Sequence, residues 1–361
     1  MPPRRKKSPD GADVSVSVPP TLRDVAARAG VSVATVSMAL RSHPRVSMAT
    51  RMRIQKLAKE MGYAQDSAVA RLMHYLRRKR VEKAPEPLAF VSRLREEELL
   101  RMPTFSRQYQ GAVGRAAELG YRLDYHTVDG QMNDRRLGRV LRARGVRGVV
   151  IGPRIEPEGR LDLGWEYFAC VTIGYSFLWP DTDRVINDKM QSVYLALEEL
   201  RRLGYRRPAL VMEQWVDDRL RNHWTGAFLS CQFRHWPADA HVPPMVHPSD
   251  RAEFVAWFER WRPDVLIGVE LAEPLRFLAE DLGVRVPEDV AFAVLDKQRD
   301  GPFAHHAGID QHPERIGEAA IDMLSAYLMR NELGLSGHPR VVSLPGVWVD
   351  GETAPPRTPV N

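Results

Sequence analysis

Thr21-Leu22-Arg23-Asp24-Val25-Ala26-Ala27-Arg28-Ala29-Gly30-Val31-Ser32-Val33-Ala34-Thr35-Val36-Ser37 holds two short helical phrases divided by one turn. Thr21 is a good N-cap, and Leu22, Val25, Ala26 and Ala29 recur at the spacing of one helix face. Gly30 ends that helix, because the residue at such an end must often take positive φ. Ser32 caps a second helix whose inner face is Val33, Val36, Ala39 and Leu40. A third helix is expected from about Ser47 to Met61, with Ile54, Leu57, Ala58 and Met61 inward and Gly62 closing it. Two short helices joined by a tight Gly-containing turn make a helix-turn-helix.

Charge is distributed in a way that suits such a module. Residues 1–80 hold 17 Lys/Arg against 5 Asp/Glu, a net +12, so the remainder carries −6 of the chain's +6. A basic head on an acidic body is what a chain needs if the head alone meets a polyanion. Residues 1–20 read as a disordered basic tail, with Arg4, Arg5, Lys6 and Lys7 followed by small polar residues and Pro19-Pro20. No apolar run approaches the roughly 18 residues of a membrane span, and none follows the basic start as a secretory signal would require. A cytoplasmic, nucleoid-associated protein without membrane contact is expected. Cys170 and Cys231 lie in apolar phrases without CxxC spacing, which reads as two buried reduced thiols.

The quoted stretch is similar to the opening of LacI/GalR transcription regulators, and so is its continuation through Arg45-Val46-Ser47, Thr50-Arg51 and Gly62-Tyr63. The resemblance implies a head over residues 21–65 that reads an operator in double-stranded DNA, pseudo-palindromic because the protein is a homodimer. The second helix of such a head enters the major groove with its N-terminal residues at the base edges. Here those are Val33, Ala34 and, one turn on, Met38. Small apolar side chains suit thymine methyls. Ser32, Thr35 and Ser37 offer hydroxyls to phosphates, and Arg45, Arg51 and Arg53 add charge at the backbone. Met38 stands where the family often has an Arg that reads guanine, a readout Met lacks.

After Tyr63 the resemblance implies a hinge helix that lies in the minor groove and wedges an apolar side chain between base pairs. Residues 66–84 are the expected hinge and linker, with Arg71 at the DNA and the wedge at Leu72, or at Met73 if one residue is inserted. Arg77-Arg78-Lys79-Arg80 could extend the phosphate contacts or simply be solvated.

From Leu88 onward short apolar runs alternate with amphipathic stretches. Strands are expected at 88–91, 123–128, 149–152, 168–173, 209–212, 265–268 and 290–295, and helices at 109–119, 134–144, 190–203, 219–233 and 251–261. Repeated β–α units of this length argue two parallel-sheet lobes. The expected class is thus α/β: a three-helix helix-turn-helix plus hinge helix, then a core of two Rossmann-like lobes over 85–361. Lobe one is placed at about 85–186 and 311–338, lobe two at about 187–310 and 339–350. Leu282-Gly283-Val284-Arg285-Val286-Pro287-Glu288-Asp289-Val290 and Ile309-Asp310-Gln311-His312-Pro313 resemble signatures of the family's core, which is similar to periplasmic sugar-binding proteins.

The resemblance implies a small-molecule effector, sugar-like, held between the lobes by Phe105, His223, Glu270 and Asp296. Such a protein is not an enzyme, and neither metal nor cofactor is expected. The sequence has no P-loop, GxSxG, HExxH or dinucleotide glycine fingerprint, and His305-His306 with His312 reads as solvated. The function expected is that of a DNA-binding regulator, a repressor, under allosteric control by the effector. The open alternative is a regulator of the same fold whose core senses a protein partner or a non-sugar ligand.

Overall fold

The computed structural model describes Pro20 and residues 22–40, 46–61, 85–128, 133–155, 159–269, 271–301 and 303–357. The expected tail, the cap at Thr21, Arg45, the whole hinge with Arg71, Leu72 and Met73, and Glu270 lie outside the described residues. The chain divides into two compact units, residues 1–76 and 77–361.

The first unit contains helices Leu22–Ala29, Val33–Leu40 and Met48–Glu60. Gly30, at φ +65°, turns the chain out of the first helix, and the Val31 N–H closes onto the Ala26 carbonyl at 3.2 Å. Ser32 Oγ accepts the Thr35 N–H at 3.1 Å, and Ser47 accepts that of Thr50 at 3.3 Å, which caps the second and third helices. Val25, Ala26, Ala29, Val36, Ala39, Val46, Ile54 and Ala58 form the core. The third helix then serves the carbonyls left over at the ends of the other two. Arg53 Nη2 donates to Ala29 O and Gln55 Nε2 to Ala39 O, each at 3.2 Å.

The second unit holds two main sheets. One is wholly parallel, in the order β12-β7-β5-β3-β1-β2: Val341–Leu344, Arg184–Asn187, Ala169–Ile173, Gly148–Ile151, Glu86–Ser92 and Tyr121–Thr127. The other runs β13-β11-β10-β9-β8: Val347–Val349, Ala307–Asp310, Ala291–Val294, Val265–Gly268 and Pro208–Val211. Only β13 in it is antiparallel. A small parallel pair, β4 Gly159–Arg160 and β6 Phe177–Trp179, completes the strands among the described residues.

Alternate side chains of each strand enter different cores. Leu88 and Phe90 face one cluster while Ala89 and Val91 face another. In the second sheet Leu210 and Met212 oppose Ala209 and Val211 in the same way. Both faces are therefore covered, as parallel sheets require.

The chain crosses between the lobes three times. It leaves the first after β7 through helix Lys189–Arg202, returns after β11 through helix Pro313–Arg330, and passes from β12 to β13 at the end. The expected assignment of 339–350 to lobe two is corrected here. Val341–Leu344 pairs with Arg184–Asn187 in the first sheet, and only Val347–Val349 joins the second. The open edge of β7 supplies the reason: it takes a partner strand whose exposed-to-half-buried alternation suits a sheet edge.

Helix Pro313–Arg330 is drawn onto helix Pro103–Glu118 by two glycines. A Cβ on Gly317 would lie 1.9 Å from the Gln108 carbonyl oxygen, and one on Gly111 2.1 Å from that of Glu314. This close packing fixes the helix that carries Thr104 and Phe105. A second correction concerns the single helix expected over 219–233. Arg221 and Asn222 take positive φ, 57° and 55°, and divide it into Gln214–Arg219 and His223–His235. Cys170 and Cys231 are buried free thiols, pushed up by burial to about 12 and about 11.

Candidate functional site

In the first unit the second helix presents its N-terminal residues unevenly. Val33 is 42 % exposed, and Ser32 is exposed beside it. The Ser32 and Thr35 hydroxyls lie 2.8 Å apart, so part of their bonding capacity is spent on the helix cap. Met38 is half-buried and packs against the core of the three helices rather than standing clear at the surface. Arg51 Nη2 donates to the Val46 carbonyl at 3.3 Å, which ties it to the turn before its own helix. Ala34 and Ser37 belong to the described helix backbone.

In the second unit a cleft opens at the C-terminal ends of the parallel strands, where ligands bind in open α/β sheets. It encloses about 690 Å³ of atom-free space, its mouth included. One wall comes from Thr104, Phe105 and Gln108 on helix Pro103–Glu118, with Arg154 after β3 and Tyr175 after β5. The opposite wall comes from Arg219, Trp224, Val269 and Asp296, and Lys189 stands where the chain first crosses.

The walls touch at several places among the described residues. Thr104 Oγ1 donates to Asp296 Oδ2 at 2.5 Å. Arg219 Nη1 donates to the Arg154 carbonyl at 3.2 Å. The Tyr175 and His223 rings meet edge to face, 5.1 Å between centroids. Between these bridges Lys189 Nζ donates to Gln311 Oε1 at 2.5 Å and lies 4.7 Å from the Trp224 ring centroid. The Arg219 guanidinium sits 5.7 Å from the centroid of Phe105.

Of the expected effector residues, Phe105 and Asp296 line this cleft. His223 reaches it only by way of Tyr175. The break at Arg221-Asn222 restarts the helix at His223, and the side chain that enters the wall is Trp224. Burial, with Arg221 nearby, lowers the His223 imidazole below its ordinary range, so it is neutral at neutral pH. Lys297, which follows Asp296, turns away: its Nζ donates to the carbonyls of Ala304 and His306 at 2.8 and 2.6 Å. Sequence reasoning missed Lys189, Arg219, Tyr175 and Trp224. A signal for Lys189 was present in the phrase Asn187-Asp188, since Asp188 caps the crossing helix and leaves the next residue at the cleft. Among the described residues no group of three His, Cys, Asp or Glu side chains is disposed to hold a metal, and no helix is long and apolar enough to cross a membrane.

Comparison with known proteins matches each unit separately. Residues 21–66 match the model of bacterial regulatory proteins of the lacI family, and residues 197–353 match the periplasmic binding protein-like domain. The HTH-type transcriptional repressor CytR of Escherichia coli K12 is 56 % identical over 43 residues, a stretch that makes up 12 % of this chain and only 13 % of that repressor. The fold of the structure described as the transcriptional regulator CelR–cellobiose complex superposes with a TM-score of 0.56 at 22 % identity, over 92 % of this chain and 99 % of that one. The lac repressor dimer bound to operator and the anti-inducer ONPF gives 0.54 at 18 % identity, over 94 % and 100 %.

Proposed function

We propose, from the premise that this chain joins a lacI-family DNA-binding domain to a periplasmic-binding-protein-like core, that it is a transcription regulator, a repressor controlled by a small ligand in its cleft. The carrying observation is the cleft itself. Its two walls come from different sheets and meet through hydrogen bonds, Thr104 to Asp296 and the Arg219 side chain to the Arg154 carbonyl, so a ligand seated there shifts the balance between two arrangements of the lobes. Aromatic faces at Phe105, Tyr175 and Trp224 suit a sugar or sugar derivative. The cellobiose complex of CelR and the operator complex of the lac repressor dimer support the same reading.

The protein works as a cytoplasmic homodimer on a pseudo-palindromic operator, because one head makes few base contacts and two-fold symmetry doubles them. Ser32, Val33, Ala34, Thr35 and Ser37 meet the DNA at the start of the second helix, with Arg45 and Arg71 adding contacts outside the described residues. Met38 contributes packing more than readout. The test is operator binding by the full chain, titrated with a ligand panel. A change in operator affinity with one ligand supports the regulator reading. Operator binding that no ligand alters moves the protein-partner alternative ahead, and absence of specific DNA binding removes the proposal.

A further inference from the structure

Arg154, Lys189 and Arg219 line the cleft, and Asp296 is the carboxylate among its described lining residues. That carboxylate already accepts from the Thr104 hydroxyl. Arg219 has its donor to the Arg154 carbonyl and its aromatic neighbours Phe105 and Trp215. Lys189 is differently placed. The residue is half-buried, its ammonium bonded to the amide oxygen of Gln311 and laid against Trp224. Among the described residues no carboxylate stands within 4 Å of it. The adjacent Asp188 accepts the Gln191 N–H at 2.9 Å and so serves the helix cap.

A partly desolvated ammonium answered only by an amide oxygen and a ring face is held at a cost. Burial pushes it down to about 8; Asp296 opposes that shift and Arg219 adds to it. Two further atoms in the same cleft wait for a partner. Among the described residues Gln108 Oε1 and Trp224 Nε1 make no hydrogen bond, although these residues are only 5 % and 2 % exposed. Buried polar atoms left unpaired are uncommon, and in a ligand cleft they mark where a ligand would bond.

We infer that this cleft takes a ligand bearing an oxyanion, a carboxylate or phosphoryl group, seated on Lys189 beside Arg219, with the ligand's ring against Trp224 and Phe105. The inference rests on the reading of the cleft as a ligand site and adds the ligand's charge. A neutral sugar brings no charge to answer the Lys189 ammonium, which has only an amide oxygen and a ring face beside it. An oxyanion supplies the acceptor that Lys189 lacks, through a charge-assisted bond about twice as strong as a neutral one. It also offers an acceptor to the indole N–H of Trp224.

The sign of the pH effect follows from Lys189. The groups that bear on it are Asp296, Arg219 and the imidazole of His223, which is neutral at neutral pH, with Gln311 and Trp224 in contact. Lys189 is charged below about 8, so anion binding is strong there and declines, by up to about tenfold per pH unit, above it.

Calorimetry on the full chain tests this with a panel of neutral sugars, their uronates and their 6-phosphates, at about pH 7 and about pH 9.5. At least one anion binds at least about tenfold more tightly than its neutral parent at the lower pH. The gap closes at the higher pH and in Lys189→Met, whereas Lys189→Arg keeps most of it. Preference for the uronate or for the 6-phosphate identifies the oxyanion. Neutral sugars that bind as well as their anions overturn the charge assignment while leaving the cleft a ligand site. Anion binding that Lys189→Met does not weaken overturns it too, since the anion then sits elsewhere. Silence from the whole panel removes both readings. Should Lys189→Met fail to fold, the pH comparison on the unaltered chain decides alone.

Discussion

Asp296 performs two tasks with one carboxylate: it lines the cleft and it accepts the Thr104 hydroxyl from the other wall. Asp296→Ala removes both, so the ligand response should fall by at least tenfold, about 1.4 kcal/mol or more, while ligand-free operator binding stays near its starting value. Asp296→Asn keeps an acceptor for Thr104 and should retain part of the response. Titrating operator binding with ligand separates the two variants, and an Asp296→Ala protein that responds like the unaltered one would remove Asp296 from the site. Asp296 and Phe105 were legible because each sits at a recognisable place, just beyond a strand or behind Pro103. Trp224 was not, because its position depends on two residues in left-handed conformation that a continuous helical pattern hides. Met38, which the resemblance places at the base edges, is half-buried against the core of the three helices, a long, flexible side chain whose direction packing decides.

At the scale of elements, the helices of the head were readable almost to the residue, since caps and glycines punctuate them. The strands at 148–151, 208–211 and 265–268 were readable from their uninterrupted apolar runs. Val341–Leu344 was not, because an edge strand half open to water carries no such run, and its partner is chosen by the vacant side of β7. The contact between helices Pro103–Glu118 and Pro313–Arg330 invites a direct test. Gly317→Ala drives a methyl to 1.9 Å from a backbone oxygen, so the helices must part. Denaturant unfolding should show a loss of about 1–3 kcal/mol or more. A neutral result would mean the two helices are not held as closely as described. The hinge proposed over residues 66–84, outside the described residues, makes a second prediction. Leu72→Ala should weaken specific operator binding far more than non-specific binding, because a wedge repays its unstacking cost only on a site that bends. If Met73→Ala has that effect instead, the one-residue insertion is right; equal loss on both DNAs for both variants would give the proposed hinge segment a structural role only.

The whole molecule is a basic head on an acidic core, and that division bears on how it works. With net +12 over residues 1–80, affinity for DNA should fall steeply as salt rises, by about 0.9 of a decade per decade of salt for each phosphate contacted. The core carries the opposite sign overall and should contribute little to that slope. If ligand binding and operator binding are coupled through the lobes, the coupling is reciprocal: operator DNA changes ligand affinity by the same factor that ligand changes operator affinity. The central claim, that the head reads DNA as half of a symmetric pair, is tested most directly by selecting binding sites for the full chain from a random pool of duplex DNA. The account predicts enrichment of one motif made of two inverted half-sites about one helical turn apart, bound by a dimer. An enriched motif without inverted symmetry, or no enrichment above random DNA at moderate salt, would contradict it.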